Sequence, residues 1–109
     1  MSSPVDLTNL REITGGDKEM ETELFKEFIS SCDAYISDLG NMLEPDKNEL
    51  WRTTTHALKG ISVNLGAMNL GDLSKKAQEN NTTSMQGKMV MLEEIKKEYA
   101  MVKEFLNKL

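Results

Sequence analysis

Cysteine is almost missing from these 109 residues: Cys32 stands alone, which excludes an internal disulfide framework and a thiolate zinc cluster. Basic residues are also scarce. Thirteen Lys and Arg against 18 Asp and Glu leave a net charge of −5, and without a basic stripe no nucleic-acid partner is expected. No apolar run approaches the roughly 18 residues of a spanning helix, so no membrane association is expected. The N-terminus lacks the basic-then-apolar pattern of a secretory signal, so a cytoplasmic location is expected. Asn81-Thr82-Thr83 matches a glycosylation sequon, but without such a signal it reads as a polar loop. Only two prolines interrupt the chain, leaving room for long helices.

What is present fits a globular protein: 39% hydrophobic and 28% charged residues with no charge block. The length suits one domain, residues 1–109. A short segment at about Asp6 to Ile13 carries Leu7, Leu10 and Ile13 at helical spacing and stops at Gly15-Gly16. Asp17 is the expected N-cap of a helix running to about Glu44, with Met20, Leu24, Phe28, Tyr35, Leu39 and Leu43 on its apolar stripe. Pro45 to Glu49 reads as a restart, with Asp46 as N-cap and Glu49 reaching back in a capping box. That third helix is expected to end at Gly66. A shorter one follows at about Asn69 to Glu79, weakened by Gly71. Thr83 with Gln86 forms a second capping box, ahead of a stripe of Met85, Met89, Leu92, Ile95, Tyr99, Val102 and Leu106.

These segments predict an all-α fold, an antiparallel up-down four-helix bundle with the short N-terminal helix capping one end, and a monomer. The eight methionines mostly fall on helical stripes and are read as core filling rather than as a flexible binding surface.

The only histidine lies on the third helix. At about 100° per residue, Leu50, Thr54, Ala57, Ile61 and Leu65 cluster on one side, extended by Trp51 and Leu58. His56 points roughly opposite and is expected to be exposed. Its neighbours one or two turns away include Arg52, Thr53, Lys59, Gly60 and Val63. A lone exposed histidine is usually just a solvated residue. Here, however, Gly60 sits one turn away at a typical loss near 1 kcal/mol relative to alanine, as though something must approach closely. Val63 adds an apolar residue to the polar face, and Lys59 could meet negative charge placed on the imidazole.

The run His56-Ala57-Leu58-Lys59-Gly60, followed by Asn64-Leu65-Gly66-Ala67 and by Leu70 and Leu73, resembles the signature of the histidine-containing phosphotransfer (HPt) family. Gly15-Gly16-Asp17 ahead of Leu24-Phe25 and Phe28 also looks like the family's second helix. The resemblance covers nearly the whole chain. It implies that His56 accepts a phosphoryl group from the phospho-aspartate of a receiver domain and hands it to another. Lys59 would then help hold the phosphoryl oxygens, and Gly60 would leave room for the receiver. Arg52, Thr53 and Val63, on the same face, are the candidate docking residues. The expected partners are receiver domains, those of response regulators, of a hybrid histidine kinase, or of both. The chain itself is expected to bind no cofactor or metal, magnesium being brought by the receiver. Thr55 and Ile61 stand where family members often have small residues, and Ala77-Gln78 replaces a common Leu-Glu pair.

No glycine loop of the Walker type, kinase signature or paired-carboxylate cluster is visible, so autonomous ATP-dependent kinase activity is not expected. A hydrolase is disfavoured because one histidine, one cysteine on another helix and no nucleophile elbow make a poor dyad. An interaction module without phosphorylation is disfavoured by the retention of His56 with Lys59 and Gly60. A structural or oligomerisation bundle would show itself as an obligate oligomer. Met1 mildly favours a free-standing protein over a piece of a hybrid kinase.

Overall fold

The computed structural model describes residues 3–109, all of whose regular structure is helical. Helix α1 spans Thr8–Thr14, α2 Lys18–Leu39, α3 Asn48–Leu65, α4 Met68–Glu79 and α5 Met85–Asn107, with one 3₁₀ turn at Pro45–Lys47. Among the described residues no helix is long and apolar enough to cross a membrane. Helix α3 packs on α4 and α2, and α5 packs on α4 and α2. The buried apolar residues of all five helices form one cluster around Trp51, Leu58, Leu70, Ile95 and Val102.

The starts and stops differ from expectation in three places. Asp17 does cap α2 through the Met20 N–H, but α2 ends at Leu39 rather than near Glu44. The segment after Gly40 is wanted in another form: the carbonyls of Met42 and Glu44 both accept hydrogen bonds from Lys88 Nζ, at 3.1 and 3.5 Å. A continuing helix would have turned those carbonyls along its own axis. Asp46 is no N-cap, because Pro45 starts a 3₁₀ turn after an extended Glu44 and α3 begins at Asn48 without a side-chain cap. Glu49 does not reach back; it pairs with Arg52. The cap of α5 is Ser84, accepting from Gly87 N–H at 3.0 Å, rather than Thr83 with Gln86.

The core stripe of α3 is also turned. Trp51, Thr55, Leu58, Ser62 and Leu65 are buried, whereas Leu50 is exposed and Thr54, Ala57 and Ile61 are only half-buried. Leu50, Thr54, Ala57 and Ile61 each give way to the next residue, whereas Leu65 is buried as expected, as are Trp51 and Leu58, which extended the expected face. The buried stripe is turned by less than one residue step of about 100°. The reason is polar packing that a hydrophobicity wheel discounts. Thr55 and Ser62 fold their hydroxyls back onto the carbonyls of Trp51 and Leu58, at 2.8 and 2.7 Å, so small side chains enter the core with their hydrogen bonds made.

The methionines are mostly not core. Met91 is buried and Met42 half-buried, while Met20, Met68, Met85, Met89 and Met101 are exposed. The buried side of α5 runs through Lys88, Met91, Leu92, Ile95, Tyr99, Val102 and Leu106, which leaves Met89 one position off it and Met85 in the exposed first turn.

The turn between α3 and α4 admits only glycine. Gly66 has φ +102°, and its N–H and that of Ala67 close α3 onto the carbonyls of Val63 and Ser62, a Schellman ending. Asp6 N–H donates to the Gly66 carbonyl at 3.0 Å, and a Cβ at 66 would fall 1.9 Å from the Asp6 carbonyl oxygen. This glycine ties the N-terminal segment to the end of α3.

Candidate functional site

His56 is exposed, nine residues into α3. Rotation of the core stripe leaves it in solvent because it lies well away from both the expected and the observed buried faces. Its Nδ1 stands 3.3 Å from Oε1 of Gln78 on α4. With Nδ1–H donating to this carbonyl oxygen, the Nε2 lone pair is left free toward solvent.

Two features of α3 and α4 bring Gln78 there. Trp51 Nε1–H donates to the Ala77 carbonyl at 2.9 Å in the core, fixing the residue beside Gln78. Farther along, Gly71 is buried against α3: a Cβ built on it would lie 2.9 Å from Val63 Cγ2 and 3.9 Å from the Lys59 carbonyl oxygen. The glycine that weakens α4 as an isolated helix is what allows α4 to sit close.

Around His56, Lys59 is half-buried and Gly60 exposed. A Cβ at Gly60 would meet nothing within 4 Å. No internal packing therefore demands glycine at this position, unlike 66 and 71. Arg52 is engaged by Glu49, which holds the Glu49 carboxyl below its ordinary range and raises the guanidinium further. Thr53 donates its hydroxyl to the carbonyls of Glu49 and Leu50. Val63 is 40% exposed but leans on α4, so it serves an internal contact as well as the surface. On the other flank of α3, a cleft of about 310 Å³ is lined by Leu10, Leu24, Phe28, Ile61, Asn64 and Leu65.

Gln78 is the residue of this constellation that sequence reading passed over as a site residue. Its only signal was its departure from the Leu-Glu pair expected at 77–78. Nothing in the α4 pattern says which α3 residue it meets. Comparison of the chain with protein-family models, with curated proteins and with solved structures finds no match.

Proposed function

We propose that this chain is a histidine phosphotransfer domain that carries a phosphoryl group on Nε2 of His56 between receiver aspartates. The observation that carries the reading is the His56–Gln78 contact beside an open glycine. With Nδ1–H donating to Gln78 Oε1 across that 3.3 Å contact, the imidazole would offer its lone pair at Nε2. In the forward step the Nε2 lone pair attacks phosphorus as the bond to the aspartyl oxygen breaks, and the carboxylate leaves with that electron pair. The positive charge gained by the ring is shared with Nδ1–H, which Gln78 Oε1 stabilises. Return of the phosphoryl group to a second aspartate reverses each change.

Such transfer needs in-line positioning and neutralisation of the phosphoryl oxygens. Lys59 supplies a cation one turn from the nucleophile, and the space above Gly60 admits the incoming receiver. The receiver contributes its aspartate and its magnesium, so the complete site forms only in the complex. Docking uses Arg52, Thr53 and Val63, with apolar area available in the cleft beyond Gly60 and Asn64. The reading includes a monomer working in the cytoplasm.

We infer the matching architecture, an antiparallel up-down four-helix bundle with α1 at one end. Supporting it, Tyr99 of α5 donates to Ile29 of α2 while Lys88 reaches Met42. Along α3 and α4, His56 meets Gln78 and Val63 meets Gly71. In both pairs the residue numbers run in opposite directions.

The deciding experiment is incubation with phosphorylated receiver domains. Wild type should acquire acid-labile, base-stable label and His56→Gln none. Labelling of His56→Gln at wild-type level would refute the assignment, since no second histidine exists.

A further inference from the structure

We infer that Gly71 is a positioning residue for His56: its missing side chain lets α4 settle on Val63, and that seating brings Gln78 to the imidazole two turns away. This rests on the reading of His56 as phosphoacceptor, but its test reads the imidazole directly.

The two contacts belong to one seam. Val63 follows His56 by seven residues on α3, and Gly71 precedes Gln78 by seven on α4, so in each helix the pair shares a face two turns apart. At one end of the seam the surfaces are at contact limit, with 2.9 Å between Val63 Cγ2 and the place a Cβ would take at 71. At the other end the His56–Gln78 contact is 3.3 Å, near the long edge of a hydrogen bond. A small outward displacement of α4 therefore breaks it.

Val63 cannot easily turn aside. A valine in a helix holds one χ1 rotamer strongly, and its own backbone nitrogen lies 3.8 Å from the added carbon. The strain of a Cβ at 71 thus passes to the separation of α3 and α4. Glycine inside a helix is unfavourable by itself, and Gly71 is compensated by this close approach.

The test is the tautomer balance of His56, read from its ring ¹⁵N shifts at alkaline pH in wild type, Gln78→Leu, Gly71→Ala, Val63→Ala and the double variant Gly71→Ala/Val63→Ala. Wild type should favour Nδ1–H. Gln78→Leu and Gly71→Ala should each shift the balance toward Nε2–H by roughly 2- to 10-fold, the weight of one hydrogen bond. Trimming Val63 in the double variant removes the obstructing methyl and should restore the wild-type balance. Should Gly71→Ala not fold, the double variant decides alone, a wild-type balance supporting the inference and a shifted one overturning it. A wild-type balance in folded Gly71→Ala, or a double variant no better than the single, also overturns it. Failure of His56 to accept phosphate from any receiver would leave these ring shifts unchanged, so the two readings fail separately.

Discussion

Replacing Lys88 with methionine should destabilise the fold more than any surface change, although the sequence presents it as one more lysine on an amphipathic helix. Its side chain is fully buried. Nζ donates to Asn48 Oδ1 at 2.6 Å, to the Met42 carbonyl at 3.1 Å and to the Glu44 carbonyl at 3.5 Å, and lies 5.3 Å from the Trp51 ring centroid. One ammonium thus fastens the segment between α2 and α3 to the first turns of α5. Lys88→Met keeps much of the stem volume but strands three acceptors, each bond to a charged donor having been worth about 1.5–3 kcal/mol. Against this, the variant escapes the desolvation of a charge, which pushes the Lys88 pKa down while Asp46 opposes the shift. The net loss should be about 2–4 kcal/mol, or about 8–16 °C in Tm for a domain of this size. Urea titration by circular dichroism measures it, and adding Asn48→Leu should recover part. The pH dependence has a definite sign. A lysine with a depressed pKa loses its proton first in the folded state, so between that value and the ordinary 10.5 the wild type gains stability as pH rises. The gap between wild type and variant should widen over that interval. A loss under about 0.5 kcal/mol would refute the reasoning, showing that the ammonium only breaks even with an apolar side chain.

Gly60→Ala should stabilise the protein by about 1 kcal/mol, since its Cβ enters open space, yet transfer from a receiver should slow, and Gly60→Gln should slow it further; unchanged transfer in both removes Gly60 from the docking surface. Lys59→Ala should slow transfer by roughly ten-fold if the ammonium contributes about 1.4 kcal/mol in the transition state, measured in single-turnover kinetics with phosphorylated receiver; an unaltered rate excludes it. Glu98 is buried with Oε2 unpartnered, and burial raises its pKa. Its contribution is fully present below the ordinary 4.5 and lost as pH rises through the raised value. Glu98→Gln should therefore be more stable than wild type at pH 7, by on the order of 1 kcal/mol, with the advantage vanishing in acid; an equal midpoint at both pH values contradicts this.

Helical class and the exposure of His56 were legible in the chain because each depends on local order: the three-to-four spacing of apolar residues, the breaks at Gly15-Gly16 and Gly66, and the angular distance of His56 from any apolar stripe. Tertiary structure alone decided what those faces meet. Thr55 and Ser62 took core positions because helical carbonyls satisfy their hydroxyls. Met85 and Met89 stand in solvent, while Lys88 on the same helix is buried where Asn48 and the carbonyls of Met42 and Glu44 receive its ammonium. The pairing of Gln78 with His56 was invisible for the same reason: 22 residues separate them, and only the seating of α4 on α3 at Gly71 brings them together. Periodicity tells which way a side chain faces along its own helix. The partner across the seam follows from how closely two helices approach, and that distance is set by side chains too small to register in a hydrophobic pattern.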